Sequence, residues 1–443
     1  MSERGWAGLI FGLYTFLGLG YSLLMPMWEG PDEHAHYHLA WSIAHKGKLP
    51  SINMNYEAYQ PPMYYWLASR PLIWMEKIDP SLTEFVLPKE RYFRYIGQPV
   101  RIFNWTDKNY RFLWGPQVLR WLNLCLGGFA LLLIFRGAHR FVPEVPNVAL
   151  VTTALAGLLP QFLHIVSTVS NDALTILAGA FLFWLFSLAN RQGLHGWQVI
   201  MSIAAALVLP VATKLTVLPI SLAVFLAIGW QWRQAWRPYW KWTLAGVFLT
   251  SAGFVIGIFW LAPTRADILL SELQWRGLSL HPDALKSSYF WPMFIQVVWS
   301  FWGKVGWLSV GLPGGVVIAL SVLAILGGCG NLWMLLGNRS QKYKTGKSDW
   351  VISPLAWGLV WSAILFALSM VLKNGLTTPR NQGRFLFPSG GVLMLVISSG
   401  WYYLASPLLK AYILPLTVMT LTALNLLLWY QGVIPIYYQP FLD

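Results

Sequence analysis

Residues 309–336 read SVGLPGGVVIALSVLAILGGCGNLWMLL, without one charged side chain. A helix needs about twenty apolar residues to cross roughly 30 Å of hydrocarbon, and this run is long enough. Working outward, comparable runs lie near 6–27, 115–135, 147–166, 172–189, 197–212, 215–231, 242–262, 350–372, 385–405 and 411–431. They predict an all-α, polytopic transmembrane protein of about eleven spans. Composition agrees: the 443 residues are 56% hydrophobic and 11% charged, against about 25% charged for a soluble domain. Pro210, Lys214 and Pro219 interrupt one stretch, so 197–231 reads as two spans or one broken helix. The run from Trp6 to Met27 is long for a signal peptide and lacks a small-residue cleavage site, so it reads as an uncleaved first span.

The formal charge of +14 does not call for a nucleic-acid partner, because Lys and Arg sit in short loops between spans. With the N-terminus inside, every inner segment is basic: Arg4; Arg136 and Arg140; Arg191; Arg233, Arg237 and Lys241; Arg339, Lys342, Lys344 and Lys347; and Lys410. The expectation is a multi-pass protein of the plasma (inner) membrane with its C-terminus outside. It forms one transmembrane domain over 1–443, with outer loops 28–114, 263–308 and 373–384. The first loop holds nine of the seventeen acids. Met63 to Met75 and Tyr289 to Trp302 read as amphipathic helices lying in the lipid interface. Cys125 and Cys329 fall inside apolar runs and read as small buried hydrophobes.

The chemistry-bearing residues gather outside. Glu29-Gly30-Pro31-Asp32-Glu33-His34-Ala35-His36-Tyr37-His38 follows the first span directly. A carboxylate pair beside apolar helices has the raised proton affinity a general base needs, though Pro31 and the two acids also suit a solvated helix start. On a helix Asp32 and His36 share one face while Asp32 and Glu33 diverge, which predicts different tasks for the two acids. Three histidines also suggest zinc, but no His-Glu-x-x-His is present and no later Cys or His cluster completes a tetrahedron, so no metal and no cofactor is expected. Nothing in the pattern calls for a divalent cation.

In Tyr56-Glu57-Ala58-Tyr59-Gln60-Pro61-Pro62-Met63-Tyr64-Tyr65, paired prolines fix the backbone and the tyrosines offer flat surfaces. These suit sugar stacking or anchoring at lipid headgroups. Asn171-Asp172 lies at a span end, where an ionisable group is expensive unless it pairs, works or caps the helix. Lys214 sits in a turn on the same side, suited to a lipid phosphate or to snorkelling. Arg380 and Arg384 stand in an outer loop where positive charge is disfavoured, and guanidinium groups grip phosphate through paired hydrogen bonds, whether of a substrate or of an anionic lipid. Ser300-Phe301-Trp302-Gly303-Lys304 precedes them on the same side.

The acidic pair after the first span, Glu57-x-x-Gln60-Pro61-Pro62-x-Tyr64-Tyr65, Asn171-Asp172, Phe301-Trp302-Gly303 and Gln382-Gly383-Arg384-Phe385 together resemble the GT-C superfamily of polytopic glycosyltransferases. Within it, bacterial proteins similar to protein O-mannosyltransferases and family 39 enzymes are the nearest. The resemblance covers nearly the whole chain. It implies an inverting transferase that moves a sugar from a polyprenyl-phosphate donor to a glycan, lipid or protein acceptor at the outer (periplasmic) face. Its catalytic carboxylate maps to Asp32 with Glu33 beside it. Arg384, Arg380 and Lys214 would bind the donor phosphate. His36, Glu57, Gln60, Tyr64, Tyr65, Asn171, Asp172 and Trp302 would line the substrate site. The rival reading is a multi-pass transporter or lipid flippase, which favours inverted repeats and matching broken helices; only the 210–219 break fits it. A degenerate, non-catalytic assembly subunit would lack Asp32 or Arg384.

Overall fold

The computed structural model describes residues 1–85, 113–191, 194, 196–232, 283–284, 286–341, 354–377 and 381–438. Among them seven helices are long and apolar enough to cross a membrane, an eighth candidate is a bent pair, and two further apolar helices are shorter. These coincide with ten of the predicted spans. The run at 242–262 lies outside the described residues, as does Arg380.

The long helices are α1 (Glu3–Leu24), α4 (Trp114–Phe141) and α7 (Asp172–Arg191), then, after the elements below, α11 (Gly314–Gln341), α12 (Pro354–Thr377), α13 (Gly390–Leu404) and α14 (Pro407–Leu428). The predicted span at 147–166 is broken into α5 (Pro146–Gly157) and α6 (Pro160–Val166), which meet at 62°. Pro160 cannot extend α5, and a carbonyl freed inside a bilayer must find a donor within the protein. Asn425 supplies it, donating Nδ2 to the Leu158 carbonyl at 2.8 Å, while Tyr21 donates to Asn425 Oδ1 at 3.0 Å. The 197–231 stretch is two helices, α8 (Trp197–Ala212) and α9 (Leu218–Gln231), packed on each other and on α7.

Above the bundle sits a cap of α2 (Glu33–Lys46), a 3-10 turn at Tyr56–Tyr59 and α3 (Met63–Ile78). Its second apolar core, with Trp28, Tyr37, Tyr64, Tyr65 and Leu72, closes on Leu119 of α4 and Ala173 of α7. The two segments expected to be interfacial helices are helical, as α3 and α10 (Ser287–Trp302). After α10 a short hairpin pairs β1 (Lys304–Val305) with β2 (Val310–Gly311), and its backbone N–H groups at Lys304 and Gly306 donate to Gln161 and His164 of α6.

One close approach places the site. The 3-10 turn Gly383–Ser389 is wedged between α7 and α10, because a Cβ at Gly179 would collide with the Pro388 carbonyl and one at Gly383 with backbone of Val297 and Phe301. Only glycine permits that fit. Cys125 and Cys329 correct the sequence expectation: both are free and lie on exposed faces of α4 and α11. In a span, an apolar side chain is as content against lipid as against protein.

Candidate active site

The turn from α1 to α2 carries positive φ at Trp28 (70°) and Asp32 (59°), backbone geometry that non-glycine residues adopt only where their surroundings fix it. What fixes it is Glu33. Its fully buried carboxylate accepts from Arg120 Nε and Nη2, each at 2.7 Å, and from the Trp28 and Val169 amides at 3.0 Å. Arg120 spends its remaining hydrogens on the carbonyls of Ser22, Met25 and Pro26 at 2.8–3.0 Å, the unsatisfied end of α1. The pair therefore joins α1, α2, α4 and the 167–171 loop. With its lone pairs filled, Glu33 has no acceptor left for a substrate proton. The sequence assignment of Glu33 to catalysis gives way to a positioning role. Arg120 itself passed unremarked, although a charge inside a predicted span was the signal to follow.

Asp32 diverges from Glu33, though not by helical spacing: it lies in the left-handed region just before α2, which begins at Glu33. Its carboxylate is 23% exposed, with Tyr56 donating to Oδ1 at 2.9 Å and Arg384 Nη2 lying 3.6 Å from Oδ2. Arg384 also reaches Asp172, Nε to Oδ2 at 3.4 Å, and Lys214 Nζ holds the other oxygen of Asp172 at 2.7 Å. Both cations lie over the Phe385 ring. Residues 32, 172, 214 and 384 thus meet in one cluster of two carboxylates and two cations. Helix starts at 33 and 172, the turn between α8 and α9, and the wedged 383–389 turn bring them there.

A second polar chain adjoins it. Gln60 donates to Glu57 at 2.9 Å and accepts from Asn171 Nδ2 at 3.2 Å. Asn55 secures this turn to α2 by donating to the Ala35 carbonyl and accepting the Glu57 amide, both at 2.9 Å. Burial, then the negative charge of Asp32, push the Glu57 carboxyl up to about 7, against the pull of Gln60, Lys214 and Arg384. His36 lies against Tyr65, Nδ1 2.8 Å from the hydroxyl, with the rings stacked. Burial drives its pKa down to about 3, so it is an uncharged imidazole at neutral pH.

One expected site residue turns elsewhere: Trp302 donates Nε1 to Ser321 of α11 at 2.9 Å and packs on Phe301. Tyr64 is buried in the cap core, edge-on to Tyr65, with its hydroxyl on the Asn123 and Ser170 side, within electrostatic reach of Asp172. Sequence position put Trp302 near the site; side-chain direction decided otherwise. Tyr56 and Asn55, conversely, touch the site and were not singled out for it.

No family model matches the chain, and no curated protein does. Among solved structures it is similar to ArnT from Cupriavidus metallidurans, bound there to undecaprenyl phosphate, at a TM-score of 0.52 and 11% identity over 99% of this chain and 76% of that one. The chain has the GT-C fold. An Archaeoglobus fulgidus oligosaccharyltransferase, tethered to an acceptor peptide containing the NVT sequon, aligns over 95% of this chain and 55% of its own at 13% identity. Its TM-score of 0.46 is too low to add weight. At these identities the likeness speaks for the GT-C fold alone, and residue roles rest on the geometry above.

Proposed function

We propose that the protein is a membrane glycosyltransferase that moves a sugar from a polyprenyl-phosphate donor to an acceptor hydroxyl at the outer face, with inversion. The observation that carries this is the meeting of Asp32 with Arg384, Lys214 and Asp172 in a GT-C fold. Undecaprenyl phosphate in the ArnT structure supports a lipid phosphate as the donor class.

In this reading Asp32 Oδ2 takes the proton of the acceptor hydroxyl as that oxygen bonds to the anomeric carbon. The bond from that carbon to the phosphate oxygen breaks, and its electron pair leaves with the phosphate. Arg384 and Lys214 stabilise the growing charge. Asp172 keeps both cations in place, and Tyr56 and the Glu33–Arg120 pair hold Asp32. Glu57, Gln60, Asn171, His36 and Tyr65 offer hydrogen bonds to sugar hydroxyls.

Purified protein with radiolabelled polyprenyl-phosphate hexoses and a membrane extract tests the reading. The wild type labels an acceptor, and Arg384→Ala both slows turnover and raises the donor concentration required. Wild-type protein that labels nothing with any such donor, or Arg384→Ala protein with normal donor dependence, contradicts it.

A further inference from the structure

Among the described residues two arginines, Arg120 and Arg384, are buried, in contrasting states. Arg120 makes hydrogen bonds with every donor it has, all at 3.0 Å or less. Arg384, only 7% exposed, has no hydrogen bond at Nε or Nη1 among the described residues. Its carboxylate contacts, 3.6 Å to Asp32 and 3.4 Å to Asp172, are charge contacts without hydrogen-bond alignment. A desolvated guanidinium left in that state is a poor end point and a good receptor, since two oxygens of a phosphate match its fork.

The two carboxylates around Arg384 are not equivalent. Asp172 is anchored by Lys214 at 2.7 Å and nearly buried. Asp32 is the more exposed, and its contact with Arg384 is the longer. It has independent means of staying in place when that contact goes: Tyr56 holds Oδ1, and its backbone follows the Glu33–Arg120 pair.

We propose that the donor phosphate and Asp32 compete for Arg384, so that arrival of the donor releases Asp32 Oδ2 to act as base. The proposal rests on the reading of Arg384 as the phosphate ligand and adds an order to it. Without donor, Asp32 is occupied by a counter-ion and the site is idle towards acceptor hydroxyls and water. With donor seated, Arg384 turns to the phosphate and Asp32 faces the acceptor with an unshared oxygen. Asp172 and Lys214 stay paired throughout.

A competitor reveals itself when removed. In detergent, binding of undecaprenyl phosphate to the full-length wild-type protein, Asp32→Asn, Arg384→Lys and the double variant forms a double-mutant cycle. The expected result is that Asp32→Asn, though inactive in transfer, binds the lipid phosphate roughly tenfold more tightly, the scale of coupling between groups in contact. In the Arg384→Lys background, which keeps the charge and loses the fork, the same substitution gains less than about threefold. Equal affinity of wild type and Asp32→Asn overturns the competition while leaving the donor reading intact. A tenfold gain that persists in the Arg384→Lys background also overturns it, since that is plain repulsion between anions. Wild-type protein that binds no undecaprenyl phosphate overturns both the competition and the donor reading.

Discussion

At the residue scale, adjacent acids have opposite fates because the left-handed turn at Asp32, just before α2, points them apart. Glu33 is enclosed by donors, so removing its charge strands Arg120 in a site that excludes water. Breaking one half of such a pair costs about 3–5 kcal/mol. Glu33→Ala is therefore expected to lower the thermal midpoint in detergent sharply, whereas Asp32→Asn leaves it close to wild type; equal midpoints for the two variants would refute the division of roles. Glu57 adds a pH signature. Its carboxyl is pushed up to about 7 from an ordinary 4.5, so between those values the folded protein keeps a proton that the unfolded chain gives up. The sign follows: stability from this group is present below about 4.5, falls as pH rises, and is lost above about 7. Glu57→Gln removes the term, so its thermal midpoint should gain on wild type as pH goes from 5 to 8. His36, pushed down to about 3, runs the other way in both proteins and cancels in the comparison. A midpoint difference that stays flat with pH would count against a proton-holding Glu57.

At the element scale, the 383–389 turn sets where Arg384 stands, and two glycines without room for a side chain set the turn. Gly179→Val pushes on the Pro388 backbone and should weaken undecaprenyl phosphate binding without touching a charged residue; unchanged affinity would show that the wedge does not position Arg384. The α5–α6 break makes a parallel case, since Asn425 supplies the donor that the Leu158 carbonyl needs. The spans were legible in the sequence because hydrophobicity over twenty residues is a coarse signal that survives any packing. Pro160 was equally visible, yet what satisfies the bend comes from Asn425, 267 residues away, and no local pattern announces that partner. Much of the candidate site was legible as residue types on one side of the membrane: Asp32, Asp172, Lys214 and Arg384 were singled out and do meet. Trp302 and Glu33 were misread because sequence gives a residue's neighbourhood but not the direction of its side chain. Arg120 was missed by giving weight to hydropathy over the one charge that interrupts it.

At the scale of the whole molecule, the cap of α2 and α3 and the turns carrying Lys214 and Arg384 lie at one end of the bundle, the end the loop charges assign to the outside. That assignment has its own test. In a background lacking Cys125 and Cys329, a cysteine at exposed Lys48 should react with a membrane-impermeant maleimide in right-side-out vesicles, and one at exposed Glu144 only after permeabilisation. The reverse pattern would place the cluster inside. Sidedness and chemistry then join in one claim, that Asp32 is the base of a sugar transfer from a lipid phosphate. The most direct measurement is transfer from radiolabelled polyprenyl-phosphate hexose by wild type and Asp32→Asn, matched for folded protein. The account predicts a loss of about a hundredfold or more in the variant, the usual scale for removing a general base. Transfer at the wild-type rate by the Asp32→Asn protein would contradict it.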